Sequence, residues 1–250
     1  MVEKIELITE WIKNSNNIVF FGGAGVSTES GIPDFRSDQG IYKKQYMCNG
    51  RNVSAEECLS IDFARQHPDI FYDYYIYEFI HPNALPNRAH KVLAQLEKLG
   101  KCKAVITQNV DSLHQMAGSK NVLELHGTTA TYSCDHCHLQ YSEKQVFDLL
   151  KKESVPRCTC GGLIRPNIVF YGEALPSGVF EKAIDYVSKC EVFIVAGTSL
   201  NVYPAANLMN YYLGNKCILI NLQKTPYDDM ADCVIHEKCG DVLTQVFEKI

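Results

Sequence analysis

The sequence predicts an α/β fold, in which a Rossmann-like parallel sheet domain carries an inserted smaller domain with a helical part and a zinc ribbon. Short runs that are apolar on both faces alternate with helix-like segments, as in a buried parallel sheet. A glycine-rich turn follows the first of these runs directly. Two stretches break the alternation: one is rich in aromatic residues and the other holds clustered cysteines.

The alternation defines the sheet domain. Apolar residues recur at helical spacing at Ile5, Ile8, Trp11 and Ile12. The β-prone runs are residues 18–21, 104–106, 122–125, 192–196 and 217–220, with helix-like segments at about 90–99 and 205–213. We expect residues 1–35, 90–128 and 169–250 to form the Rossmann-like domain. The interruptions, residues 36–89 and 129–168, are expected to be the helical part and the zinc-ribbon part of the small domain.

The clustered cysteines predict a metal site. Cys134 and Cys137 form a Cys-x-x-Cys pair, and Cys158 and Cys160 follow about 20 residues later with two glycines behind them. This spacing is typical of tetrahedral zinc, and four thiolates leave no open position, so the zinc would be structural. His136 or His138 as substitute ligands, a redox pair and four unrelated cysteines are the alternatives.

Charge and composition limit the partners and the compartment. The chain has 24 Lys and Arg against 29 Asp and Glu, a net charge of −5, which argues against nucleic-acid binding. We find no export signal and no run that approaches the roughly 20 apolar residues of a membrane span. With 11 cysteines, an odd number, a disulfide framework is not expected. We therefore expect a cytoplasmic protein that has no membrane partner and acts as a monomer.

The glycine-rich turn is a candidate phosphate site. Gly22, Gly23 and Gly25 follow the first strand, where backbone N–H groups of a dinucleotide fold approach phosphate. Thr28 stands where the third glycine of Gly-x-Gly-x-x-Gly belongs. A glycine turn without any ligand therefore remains an alternative at this point.

Four blocks carry a family resemblance. They are residues 23–37 (GAGVSTESGIPDFRS), 107–111 (TQNVD), 125–127 (LHG) and 197–200 (GTSL). In this order, with the cysteines before the last block, the chain resembles the sirtuins, NAD-dependent protein-lysine deacylases, over about residues 15–245. The resemblance implies that NAD, consumed as a co-substrate, and an acetylated protein or peptide meet in a cleft between the two domains. The products would be nicotinamide, deacetylated lysine and O-acetyl-ADP-ribose.

The resemblance assigns roles residue by residue. His126 matches the catalytic base, with Asn109 and Asp111 as the other catalytic residues. His114, the nearest rival for the base, is interpreted as a helix residue that packs behind the site. The implied NAD contacts are Ala24, Gly25, Thr28, Phe35, Arg36, Gln108, Val110, Asp111, His126, Gly197, Thr198, Ser199, Asn221 and Cys239.

The resemblance also implies a peptide cleft, lined by Val169, Phe170, Gly172, Glu173, Asn201 and Val202. Tyr171 departs from the pattern, since many members carry Phe there. Members that prefer acidic acyl groups carry Tyr-x-x-Arg in the helical part, whereas residues 72–75 and 75–78 both lack the arginine. Without a cation to pair with a succinyl carboxylate, we expect acetyl or longer neutral acyl groups to be preferred.

Other functions stay open at this stage. Within enzymes, the alternatives are protein ADP-ribosyl transfer, which uses the same NAD cleavage, and removal of longer neutral acyl chains. Outside enzymes, the chain could be an NAD-sensing or scaffold module whose zinc ribbon binds a partner. The intact base and the complete peptide segment argue for the deacetylase.

Overall fold

A computed structural model describes residues 1–38, 40–48 and 50–250. In chain order the strands are β1 (Ile18–Gly22), β2 (Gln45–Cys48), β3 (Arg51–Ser54), β4 (Cys102–Thr107), β5 (Val122–Glu124), β6 (Gly127–Cys134), β7 (Gln140–Ser142), β8 (Ile164–Ile168), β9 (Val192–Ala196), β10 (Cys217–Ile220) and β11 (Cys233–Ile235). The α-helices are α1 (Val2–Asn14), α2 (Ala55–Cys58), α3 (Ile61–Gln66), α4 (Pro68–Phe79), α5 (Arg88–Lys98), α6 (Leu113–Met116), α7 (Glu143–Leu150), α8 (Val179–Lys189) and α9 (Cys239–Phe247).

Six strands form the parallel sheet that the sequence predicts, in the order β11-β10-β9-β1-β4-β5. The central strands β1 and β9 are buried along their whole length, because helices cover both faces of the sheet. Apolar side chains of α1, α5 and α9 pack on one face, and those of α8 and residues 205–211 pack on the other. The fold class is therefore confirmed.

Two elements differ from the sequence expectation. The helix expected at 205–213 is a 3₁₀ segment, Ala205–Tyr211, which follows Pro204 and contains two asparagines, poor formers of an α-helix. The sixth strand, β11, was not predicted, since it has only three residues. In contrast, α5 closely matches the expected helix, and Asn87 caps it by accepting a hydrogen bond from the Ala89 amide at 2.9 Å.

The two inserted stretches pack on each other. The first contains the β2–β3 hairpin and helices α2, α3 and α4; the second contains the antiparallel sheet β7-β6-β8 and α7. Phe71, Tyr72 and Tyr75 of α4 are buried against Tyr132 and Ile164 of the second stretch. This shared core joins the helical part to the cysteine-bearing part. No helix in the described part of the chain has the length and apolarity that crossing a membrane requires.

The sheet register brings four strand ends to one edge. Gly22, the last residue of β1, pairs with Thr107 of β4 on one side and with Ala196 of β9 on the other. Ala196 in turn pairs with Ile220 of β10. Since parallel strands end at the same edge, the loops after these strands meet at one place, where α/β sheets bind ligands.

Gly127, at the start of β6, lies where the sheet domain and the cysteine-bearing part approach each other closely. Its φ is +75°, and a Cβ built on it would lie 2.0 Å from the Asn167 carbonyl oxygen. Gly100 has nearly the same φ, +74°, but open space around it. We expect Gly127→Ala to lower the free energy of unfolding by about 2–5 kcal/mol, and Gly100→Ala by about 1–2 kcal/mol. Urea unfolding of both variants measures this difference, and equal losses would contradict the close backbone approach.

Candidate active site and metal site

A cleft of about 400 Å³ opens at the edge where the four strand ends meet. The loops after β1, β4, β9 and β10 line one side, and residues 168–173 with residues of the inserted helical part line the other. All the NAD contacts implied by the sequence border this cleft, and so do all the implied peptide contacts except Asn201. Asn201 is exposed to solvent outside the lining.

The turns after β1 and β9 are pressed together backbone to backbone. The Gly25 amide donates a hydrogen bond of 2.8 Å to the Gly197 carbonyl. A Cβ on Gly25 would lie 2.8 Å from the Gly197 Cα, and one on Gly197 would lie 2.5 Å from the Val26 nitrogen. Both positions therefore need glycine, which gives the glycine-rich turn a structural cause as well as a ligand-binding one.

A serine joins two predicted catalytic residues. The Asn109 side-chain amide donates to Ser27 Oγ at 3.0 Å, and Ser27 Oγ donates to Asp111 Oδ2 at 2.6 Å. The other Asp111 oxygen accepts from the Leu113 amide at 2.9 Å. Sequence reasoning did not select Ser27, although the serine lies inside the first motif block. Its hydroxyl fixes the orientation of Asn109 and Asp111 relative to each other.

The Gln108 side chain joins two loops through its oxygen and leaves its nitrogen available to a ligand. Its side-chain carbonyl accepts from the Thr198 hydroxyl at 3.0 Å, which ties the loop after β4 to the loop after β9. Its Nε2 is buried, and no hydrogen-bond partner for it is found among the described residues. A buried amide donor without a partner is costly, so the site is suited to a ligand with hydroxyl or phosphate oxygens, such as NAD.

His126 is oriented as a base. Its Nδ1 lies 3.0 Å from the Gln108 carbonyl oxygen, which can only accept, so Nδ1 carries the proton and Nε2 keeps a lone pair. Burial lowers the pKa of His126, and the hydrogen bond to Gln108 partly opposes this shift. The imidazole is therefore neutral near pH 7 and can accept a proton at Nε2.

The rival histidine is buried behind the site. His114 does not border the cleft, and its ring centroid lies 4.7 Å from that of His90. Burial lowers the pKa of His114 to about 3 and that of His90 to about 4. Both rings therefore stay neutral near pH 7 and act as packing residues.

The peptide-side residues divide into two groups. Val169, Phe170, Gly172 and Val202 border the cleft without charge. The Glu173 carboxylate is instead bound within the protein, since its oxygens lie 2.6 and 2.7 Å from Arg165 Nη1 and Nη2. Burial opposes ionisation of Glu173, but Arg165 outweighs it, so the pKa of this carboxyl is lowered. Glu173 thus shapes the segment through Arg165.

Asn221 and Cys239, the predicted adenosine contacts, also border the cleft. The Asn221 side-chain amide donates to the Gln223 carbonyl at 2.7 Å, which holds the loop after β10. Burial raises the pKa of the Cys239 thiol to about 12, so the thiol stays protonated at neutral pH. Cys239 can therefore offer its backbone to a ligand without adding charge.

The four clustered cysteines are arranged for zinc. The Sγ atoms of Cys134, Cys137, Cys158 and Cys160 lie within 4.8 Å of one another, with two of the contacts at 3.5 and 3.6 Å. Tetrahedral zinc–thiolate bonds require sulfur atoms about 3.8 Å apart. A Cβ on Gly162 would lie 2.6 Å from Cys134 Sγ, so the turn needs glycine. The alternative histidine ligands, His136 and His138, are not part of this cluster.

Residues 23–204 match the sequence model of the Sir2 family. The chain belongs to the Sir2 family. It is 49% identical over 250 residues to the "NAD-dependent protein deacetylase" of Clostridium perfringens, covering 99% of this chain and 100% of that protein. Its fold is similar to the solved structures "Sir2-p53 peptide-NAD+" (41% identity, TM-score 0.87) and "Sir2 bound to acetylated peptide" (39% identity, TM-score 0.86), each covering 98% of both chains. Sir2 relatives thus use NAD, and the four close cysteines suit a structural zinc.

We expect this Sir2 protein to hold one zinc ion per chain, bound by the four cysteines. Cys137→Ser should lose the metal and lower the melting temperature, because one ligand is missing from a closed site. Cys190→Ser, at a buried cysteine outside the cluster, should keep one zinc. Elemental analysis of both variants and of the parent checks this. A folded parent protein that takes up no zinc would contradict it.

Proposed function

We propose that this chain removes acetyl groups from lysine side chains of proteins and consumes NAD in doing so. The products would be nicotinamide, deacetylated lysine and O-acetyl-ADP-ribose. The names of the relatives support this activity. The observation that carries it is the orientation of His126, whose free Nε2 shares one cleft with the linked side chains of Ser27, Asn109 and Asp111.

NAD would lie along the edge where the strands end. Its phosphates would face the turns that contain Ala24, Gly25 and Thr28 after β1, and Gly197, Thr198 and Ser199 after β9. Backbone N–H groups in such turns are suited to phosphate oxygens. Asn221 and the Cys239 backbone would contact the adenosine end. Gln108 Nε2, which has no hydrogen-bond partner among the described residues, would donate to a ribose oxygen.

The nicotinamide end would be held by the Ser27 network. A carboxamide offers one acceptor and two donors, and Asp111, Asn109 and the backbone of Val110 present complementary groups. When bound, NAD supplies a ribose carbon from which nicotinamide can leave. Phe35 and Arg36 lie on the loop that borders this region and would shield that carbon from water.

His126 would then accept a proton from a ribose hydroxyl at Nε2. The Gln108 carbonyl would stabilise the imidazolium, because it accepts the Nδ1 proton throughout. Once the acyl oxygen has replaced nicotinamide on the ribose carbon, the deprotonated hydroxyl could attack the acyl carbon, and water would then release the lysine amine and leave O-acetyl-ADP-ribose. The His126 imidazolium formed by the first proton transfer could return its proton from Nε2 in these later steps.

An acylated peptide would dock beside residues 170–173 as an added strand. Gly172 has φ +91°, and its amide and carbonyl have no backbone partner in the described part of the chain. Val202 would flank the peptide on the opposite side, and Val169 would border the acyl-lysine tunnel. Asn201 stays a predicted peptide contact, exposed beside Val202 and outside the cleft lining.

Neither Tyr72 nor Tyr75, the two tyrosines at which the Tyr-x-x-Arg pattern could begin, offers its hydroxyl to the acyl group. Tyr72 is fully buried, and its hydroxyl donates to the Ile164 carbonyl at 2.5 Å. Tyr75 is also fully buried, with its hydroxyl 3.0 Å from that of Tyr132. The nearby cation Lys44 is already paired with Glu78 at 2.7 Å. A succinyl carboxylate would therefore find neither an arginine of a Tyr-x-x-Arg pattern nor an unpaired Lys44 beside it.

Three further expectations accompany the proposal. We propose that the protein is cytoplasmic, acts as a monomer and binds no nucleic acid. The net charge of −5 supports the last of these expectations. An analytical ultracentrifugation run would test the monomer.

Activity and acyl preference can be tested together. Incubation with NAD and an acetylated peptide should give equal amounts of nicotinamide and acetyl-ADP-ribose by mass spectrometry. The kcat/KM for the acetylated peptide should exceed that for the succinylated peptide by about tenfold or more. This ratio corresponds to the free-energy cost of burying one charged group without a hydrogen-bond partner. Nicotinamide release with the acetyl group retained would favour ADP-ribosyl transfer, and a faster reaction with the succinylated peptide would contradict the acyl preference.

The lowered pKa of His126 predicts the acid limb of the pH profile. The base works only when neutral, so kcat/KM should fall as the pH drops through the pKa of this residue. Because that pKa is lowered, the midpoint should lie below about 6.5, the usual histidine value. His126→Gln should reduce kcat by about 10²- to 10⁴-fold and remove this limb. An unchanged limb in this variant would assign the titration to another group.

A further inference from the structure

Two tyrosine hydroxyls meet across the mouth of the cleft. The Tyr42 and Tyr171 hydroxyl oxygens lie 2.5 Å apart, and both residues border the cleft. They come from different parts of the chain, since 129 positions separate them. Tyr171 is 41% exposed, so the pair lies where substrates enter rather than in the core.

Tyr42 is fixed to the loop that would cover NAD. Its amide donates to the Phe35 carbonyl at 2.9 Å, and its ring centroid lies 5.3 Å from that of Phe35. The Arg36 guanidinium lies 5.0 Å from the Tyr42 ring centroid, in a cation–π contact. These contacts hold Tyr42 to Phe35 and Arg36, so a restraint on the Tyr42 phenol also restrains this loop.

Tyr171 is fixed to the segment that would dock the peptide. Its amide donates to the Leu59 carbonyl at 2.9 Å, and its carbonyl accepts from the Ile61 amide at 3.1 Å. Gly172 and Glu173 follow directly, and Arg165 holds Glu173. The Tyr171 phenol cannot shift far unless this segment shifts with it.

We propose that Tyr42 and Tyr171 are positioning residues that couple the two substrates. Their hydrogen bond would align the NAD-covering loop with the peptide-docking segment, so that one bound substrate favours the arrangement that binds the other. Such coupling is reciprocal between two sites. The inference rests on the proposed function, since it assigns NAD to one side of the pair and the acylated peptide to the other.

The hydroxyls can be removed without removing the rings. Burial, and then the bond to Tyr171, raises the pKa of Tyr42, so the Tyr42 hydroxyl stays protonated and able to donate. Tyr171→Phe and Tyr42→Phe keep the aromatic packing and delete only the bond. Tyr186→Phe is the matched control. Tyr186 lies on α8, outside the cleft, and the substitution removes a 2.8 Å hydrogen bond that Asn121 Nδ2 donates to its hydroxyl.

Calorimetric titration with ADP-ribose, with and without a saturating acetylated peptide, measures the coupling without turnover. In the parent protein and in Tyr186→Phe, the peptide should tighten ADP-ribose binding. In Tyr42→Phe, Tyr171→Phe and the double variant, the factor by which the peptide tightens ADP-ribose binding should be about three- to tenfold smaller. This reduction corresponds to the net free energy of one hydrogen bond. The double variant should lose no more than either single variant. Melting temperatures of the single variants should stay close to that of the parent.

Three outcomes would overturn the inference. The single variants could retain the full coupling, or their losses could add in the double variant. The parent protein could bind ADP-ribose and peptide independently while still deacetylating, which would leave the proposed function intact. A parent protein that binds neither ligand would overturn the proposed function together with the tyrosine coupling.

Discussion

The candidate site depends on the parallel pairing of β1 with β4 and β9. This register ends all three strands level, at Gly22, Thr107 and Ala196. Three loops must then share one small volume, and they can do so only because Gly25 and Gly197 have no side chains. The same crowding directs backbone N–H groups and short polar side chains into the cleft, where a dinucleotide would lie.

Gln108 connects this architecture to the chemistry. Its amide donates to the Gly22 carbonyl at 2.9 Å, its side chain accepts from Thr198, and its carbonyl orients His126. Gln108 therefore links the glycine-rich turn, the turn after β9 and the proposed base, His126. The same residue thus holds the loops together and orients the side chain that we propose as the base.

The inserted part completes the cleft from the opposite side. The aromatic residues of α4 pack on the cysteine-bearing sheet, and this shared core carries residues 168–173 to the cleft. Gly127 reinforces the connection, since it follows His126 directly and lies against the Asn167 backbone. The zinc cluster would stabilise the far end of the same sheet, away from the reacting atoms.

The sequence predicts features that depend on local pattern. The buried strands, the capped helix α5 and the cysteine spacing each have a periodic or compositional signal, and the structure has all of them. The polar hairpin β2–β3 and the three-residue β11 lack such a signal, so they were not foreseen. Side-chain pairings that follow no helix or strand spacing were also not visible in the sequence. The bridge by Ser27, the capture of Glu173 by Arg165 and the contact of Tyr42 with Tyr171 all depend on the folded arrangement.

The order of events in the cleft gives the most direct test. If nicotinamide leaves before His126 acts, a His126→Ala variant should still exchange labelled nicotinamide into NAD, and only when the acetylated peptide is present. The same variant should release no acetyl group. Exchange that vanishes with the imidazole, or exchange that needs no acetylated peptide, would contradict the account.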